Sequence, residues 1–206
     1  MGIVERKERE KEEMRKLILE AAQKLFLETG FEKVSIRNIA DAIEYSPATI
    51  YLYFKDKNEL LYAIHNIGFQ KMVEEFQPAL NLADPFDRLV EMGRRYFRFA
   101  FENPELFDLM FIMTAPMDSL ACRDDDKWDE GRTAFQLLIT CVQDCIDAGV
   151  FKYQDAEVAA LMIWSAVHGN TALFLRKRLE MFEESRRKQL MEDAFTLFIE
   201  TIHKGL

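Results

Sequence analysis

Residues 35–57 read SIRNIADAIEYSPATIYLYFKDK, and they divide into two short helical segments around a turn. Ser35 is a natural N-cap, with a hydroxyl able to accept from an orphan backbone N–H at a helix start. Ile36, Ile39, Ala40 and Ile43 then fall at i, i+3, i+4 and i+7, one apolar face of a helix. The pattern breaks at Glu44 and Tyr45. Ser46 and Pro47 restart it, an N-cap followed by proline at the first helical position. Ile50 and Phe54 stand at i and i+4 and can point inward, which turns Ala48, Thr49, Tyr51, Leu52 and Tyr53 largely outward. A helix of roughly seven residues is not stable alone in water, so neighbours must hold it. Its outward face presents hydroxyls and aromatic rings and no acidic group. A short, pinned helix of this kind has the geometry of the recognition helix in a helix-turn-helix, which enters the DNA major groove.

The flanks support this unit. Residues 3–13 are almost wholly charged, with mixed signs, and read as a solvated helical extension; an arm in which Arg6, Lys7 or Arg9 touches DNA backbone is the other reading. Met14, Leu17, Ile18, Ala21 and Leu25 form a helical stripe behind it. Gly30 ends that helix as a left-handed cap, with Phe31 folding back. Downstream, Asp56 and Glu59 make an approximate capping box that opens a long helix to about Gln77–Pro78. Lys57 lies in its first turn, where backbone N–H groups and the positive end of the helix dipole favour a phosphate. This helix runs from the head into the body and is the natural lever between them.

The stretch also resembles a family. Ser-Ile-Arg-x-Ile-Ala at 35–40 and Ser-Pro-Ala-Thr-Ile-Tyr-Leu-Tyr-Phe-Lys-Asp-Lys-Asn-Glu-Leu at 46–60 are similar to the TetR family of bacterial transcriptional regulators, over about residues 10–60. The resemblance implies a dimer that binds a palindromic double-stranded DNA operator and a body that binds a small molecule controlling the spacing of the two heads. Carried onto this chain, it places Ser35, Arg37 and Lys57 on phosphates and Tyr45, Ala48 and Thr49 at base edges. Tyr51 and Tyr53 would contact backbone, and Ser46, Pro47 and Lys55 complete the DNA-binding set. One position departs from the pattern. The family usually has Ala-Gly-Val before the serine, and this chain has Ile43-Glu44-Tyr45. The turn glycine often takes φ > 0, which glutamate adopts at a cost, and a carboxylate near a phosphate is repulsive.

Composition bounds the rest. In a chain of 206 residues with 49% hydrophobic content, only 8 glycines and 5 prolines stand against 17 phenylalanines and 10 methionines. That favours long helices around an adaptable apolar interior. The expectation is an all-α chain of about nine helices, a DNA-binding domain over 1–56 and a ligand-binding and dimerisation domain over 57–206. Net charge is −9, and it is unevenly spread. Residues 1–60 carry 11 Lys+Arg against 12 Asp+Glu, and the remainder 16 against 24. An acidic body on a near-neutral head keeps non-specific DNA binding weak, so specificity must come from local contacts.

In the body, helices are expected at about 85–102, 104–113, 126–148, 156–178 and 184–203. Phe97, Phe101, Met110, Phe111, Trp128, Phe135, Trp164 and His168 are the candidate lining of the effector site, and their character suits an apolar effector. Val158 to Leu175 carries no charge. It is at the lower edge of length for a membrane span, but Ser165, His168, Asn170 and Thr171 favour a helix buried on two sides and no membrane partner. One burying surface is its own core and the other a second subunit, giving a homodimer through a four-helix bundle of the last two helices. Ala166, Gly169, Ala172, Phe195, Phe198 and Ile202 are the expected interface.

Catalytic and metal signatures are missing: there is no phosphate loop, CxxC, HExxH or nucleophile elbow. Glu200 and His203 make one ExxH, where a di-iron bundle needs two such pairs and further glutamates. Asp124–Asp126 reads as a solvated helix cap rather than a cation site. Cys122, Cys141 and Cys145 suit a reducing compartment, with Cys141 and Cys145 as plain buried thiols. His65 reads as an ordinary helix residue. The charged N-terminus lacks a signal sequence, and Arg6 excludes a myristoylation motif. These readings point to a cytoplasmic DNA-binding regulator, not an enzyme, with neither cofactor nor metal. The competing reading is a helical binding module or enzyme without DNA function, supported by the acidic body and the missing turn glycine.

Overall fold

The computed structural model describes residues 2–114, 116–117 and 128–206; Cys122 and Asp124–Asp126 lie outside the described residues. The described chain is all-helical, as its composition and periodicity predict. The helices are α1 (Ile3–Thr29), α2 (Ile36–Ala42), α3 (Pro47–Tyr51), α4 (Lys57–Leu80), α5 (Pro85–Glu102), α6 (Pro104–Phe111), α7 (Asp129–Asp147), α8 (Ala156–Leu175) and α9 (Glu184–Gly205). Short 3-10 turns at Phe31–Lys33 and Arg178–Met181 join α1 to α2 and α8 to α9. Two compact units result: Met1–Gly68 with Glu105–Trp128, and Phe69–Pro104 with Asp129–Leu206. The boundary drawn at 56/57 marks the end of the DNA-binding motif. Compactness divides the chain further on, within α4, because the first half of α4 packs with the motif.

In the first unit α1, α2 and α3 close around Ile18, Ala22, Phe26, Ile39, Ala40, Ile50 and Phe54, all buried. The α1 stripe is therefore centred on Ile18, Ala22 and Phe26, and Leu17 lies at its exposed edge. Gly30 at φ 91 ends α1 and its N–H returns to the Phe26 carbonyl. That folds the buried Phe31 ring edge-on against Phe26, centroids 5.2 Å apart. The start of α4 adds Leu60, Leu61 and Ile64 to this unit's core. Further along, Gly68 lets α6 approach closely: a Cβ there would lie 2.6 Å from Met110 Sδ and 3.2 Å from Leu106 Cδ1.

The second unit packs α5 against α7 and α8, and α8 against α9. Asp84 and Asp155 cap α5 and α8, each accepting from two backbone N–H groups. The helix α4 continues through Pro78 to Leu80, two residues past the expected stop. Proline there removes a single backbone donor close to the helix end, which costs less than a break in the interior. The helix α8 ends at Leu175, earlier than expected, because Lys177 takes a left-handed conformation at φ 57. Cys141 and Cys145 are fully buried. Burial pushes their thiols up to about 11 and about 12, so they are unreactive in the folded protein.

Candidate DNA interface and effector site

The helix-turn-helix is built by two side-chain caps. The Ser35 hydroxyl accepts from the Asn38 N–H at 3.2 Å, and the Asn38 side chain accepts from the Ser35 N–H at 2.9 Å. Ser46 accepts from the Thr49 N–H at 3.3 Å and lies 3.1 Å from the Thr49 hydroxyl. Proline follows at the first position of α3. Between the helices Glu44 stands at φ 60. The turn keeps the left-handed residue that a glycine would supply, and the glutamate bears the strain. The Tyr45 N–H closes the turn on the Ala40 carbonyl at 3.0 Å. Ile50 and Phe54 are buried; Arg37, Tyr45, Ser46, Ala48, Tyr51, Leu52 and Lys55 are exposed; Pro47, Thr49 and Tyr53 are half-buried.

Two cations near the motif are already engaged. Lys57 Nζ donates to the Phe31 carbonyl at 3.0 Å and sits 4.1 Å from the Phe31 ring centroid. Its ammonium thus anchors α4 to the end of α1, where the sequence argument puts a phosphate contact. Arg15 donates to the Tyr53 carbonyl at 3.2 Å and lies 4.2 Å from the Phe54 ring centroid. Sequence reasoning missed Arg15, since a charged residue on a charged helix gives no sign of its aromatic neighbour. At the start of α4, Asp56 accepts from the Glu59 N–H and Glu59 accepts from the Lys55 N–H. That capping arrangement leaves the Lys55 side chain exposed beside the motif.

The candidate effector residues fall into two sets. Phe97, Phe101, Phe135, Trp164 and His168 belong to the second unit. There Phe97 stacks with Phe101 at 6.1 Å, Phe135 meets Trp164 at 5.8 Å, and Trp164 meets His168 at 5.9 Å between centroids. Tyr96, absent from the sequence-derived set, organises this cluster. Its hydroxyl is hydrogen-bonded to His168 Nδ1 at 2.8 Å and accepts from Trp164. Burial raises the Tyr96 hydroxyl well above its usual value, and burial lowers His168. Both groups are therefore neutral near pH 7. Met110, Phe111 and Trp128 belong to the first unit. Met110 is buried there against Gly68, Phe111 meets Phe107 at 5.1 Å, and Trp128 meets His65 at 5.8 Å. His65 is 0% exposed, more deeply placed than its reading as an ordinary helix residue, and burial lowers its pKa too.

Of the expected interface residues, Ala166 is exposed, and Gly169, Ala172, Phe195 and Phe198 are half-buried. Ile202 is 2% exposed, so it belongs to its own chain's core and cannot line a surface for a partner. Phe195 turns toward Phe97 (5.1 Å between centroids) and Gly93. The apolar groups that do reach the surface here are Val158, Leu161, Met162 and Leu173 on α8 and Leu197 on α9.

The N-terminal motif matches the family described as "Bacterial regulatory proteins, tetR family" over residues 18–64, and the body matches "Tetracyclin repressor-like, C-terminal domain" over 89–198. The chain belongs to the TetR family. This TetR-family protein is 26% identical over 149 residues to the uncharacterized HTH-type transcriptional regulator YhgD of Bacillus subtilis (strain 168), covering 72% of this chain and 78% of that one. It is 30% identical over 116 residues to the HTH-type transcriptional repressor KstR of Mycobacterium tuberculosis, covering 56% of this chain and about half of that one, 53%. The fold matches the fatty acid degradation regulator FadR from Bacillus halodurans with a TM-score of 0.71, at 17% identity over 93% of this chain and 95% of that one. The TetR-family chain is accordingly a DNA-binding transcriptional regulator.

Proposed function

We propose that this regulator is a homodimeric repressor, acting in the bacterial cytoplasm, that reads a palindromic operator and releases it on binding an apolar small molecule. The observation that carries the reading is α3 with its turn: pinned by Ile50 and the Ser46 cap, they expose Tyr45, Ala48, Tyr51 and Leu52 together, with no acidic side chain on the helix. Ser35, Arg37, Tyr45, Ser46, Pro47, Ala48, Thr49, Tyr51, Tyr53 and Lys55 form the DNA surface. Lys57 supports it from behind. The exposed stripe on α8 supports a two-fold interface, since a soluble chain covers such a stripe with a second copy. The aromatic set around Tyr96 and His168 supports an effector that is mostly apolar with one hydrogen-bonding group. The same fold serves a fatty acid degradation regulator, so acyl compounds are the first to try.

The test is selection of bound sites from a random duplex DNA pool near physiological salt. Enrichment of an inverted repeat, with half-sites about one helical turn apart or a multiple of it, is the expected result. A folded dimer that enriches nothing would refute the reading. On the enriched site, an effector should both release DNA and raise the melting temperature.

A further inference from the structure

We propose that Leu52, paired with Ala48, is a sequence-reading residue that recognises thymine C5-methyl groups in the operator. The inference rests on the reading of α3 as an operator-binding helix and adds to it a residue that the motif does not assign. Leu52 is 79% exposed, the most exposed large apolar residue among those described. It is still helical in conformation, at φ −72 and ψ −20, so the periodicity of α3 continues through it. At about 100° per residue, Ala48 and Leu52 lie within roughly 20° of the direction opposite the buried Ile50, one turn apart on the same line. These two side chains are therefore the outermost on the helix, with Thr49 and Tyr51 to either side. Thr49 is also held against Ser46 at 3.1 Å.

The chemistry of that line selects its occupant. Neither side chain has a hydrogen-bonding group, so neither can use the donors and acceptors of the groove floor. The apolar feature of the major groove is the thymine methyl. An exposed leucine, otherwise costly in water, gains by covering one. Two cations of this unit, Arg15 and Lys57, do not compete for the position, because they are tied to backbone carbonyls and aromatic rings of their own unit.

The experiment uses the full-length protein and the inverted repeat enriched from the random pool. Each thymine of a half-site is replaced by uracil, which keeps base pairing and removes only the methyl. Affinity is measured for the wild type and Leu52→Ala, whose melting temperature should match wild type because the side chain is exposed. One thymine should be sensitive, costing the wild type about fourfold in Kd when one half-site is changed and about fifteenfold when both are. For Leu52→Ala the same replacement should cost less than about twofold. A half-site in which no thymine is sensitive, or in which no thymine loses its sensitivity in Leu52→Ala, would overturn the inference while leaving operator binding intact. Failure to enrich any repeat would refute instead the operator reading beneath it.

Discussion

Each compact unit leaves apolar side chains in water, and the two surfaces are built differently. At α3 an alanine on the five-residue helix and a lone leucine at its C-cap stand one turn apart, flanked by hydroxyls and tyrosines. On α8, Val158, Leu161, Met162 and Leu173 run along a helix of 20 residues, at the spacing that pairs helices. An isolated apolar contact among polar groups can discriminate one base from another but adds little affinity. A continuous stripe supplies affinity with little discrimination, because any complementary apolar stripe covers it. On the function proposed above, the same residue chemistry serves reading in one unit and assembly in the other.

The largest expected effect comes from breaking the second surface. Leu161→Glu with Met162→Glu should turn the dimer into monomers in sedimentation and weaken operator binding by more than about 100-fold. A variant that stayed dimeric would move the interface elsewhere. Next, the recognition helix itself contrasts an inward with an outward residue. Ile50→Ala should lower unfolding free energy by about 3 kcal/mol in urea titration, against less than about 0.5 kcal/mol for Leu52→Ala.

Lys57→Ala should cost about 1 kcal/mol in stability through the lost carbonyl and ring contacts. The slope of log K against log salt should stay unchanged; a slope shallower by about one unit per subunit would restore Lys57 as a phosphate ligand. Glu44→Gly should relieve the left-handed strain, adding about 0.5–1 kcal/mol, and raise affinity for all DNA sequences alike. The smallest effect is on pH dependence. Folding disfavours protonation of His65 and His168, whose pKa values fall below 6.5. Stability should then be full above about pH 6.5 and decline below it as the unfolded chain takes up protons first. Replacing His168 by Gln should flatten that decline in melts between about pH 7.5 and 5.5.

Much of this was legible in the chain itself. The α2–turn–α3 unit was readable because caps, proline and apolar spacing act within a few residues of one another. Ser35, Ser46 and Pro47 are local devices, and local chemistry does not depend on what packs nearby. The effector and interface sets were less legible, since a phenylalanine at helical spacing declares a buried face without saying against what. Phe195 and Ile202 share a face with the rest of α9 in the sequence, yet they pack into their own unit, while Leu197 faces out.

Helix type, order and approximate length, and the identity of the DNA-reading motif, followed from the sequence alone, because they rest on periodicity and short-range hydrogen bonds. Tertiary structure decided the rest. It placed Glu44 in the left-handed turn, gave Lys57 and Arg15 to aromatic rings, and bound Tyr96 to His168 across 72 residues of sequence. It also left Leu52 outermost on α3. Each of these depends on which groups meet after helices pack, and residue spacing along one chain carries no record of that meeting.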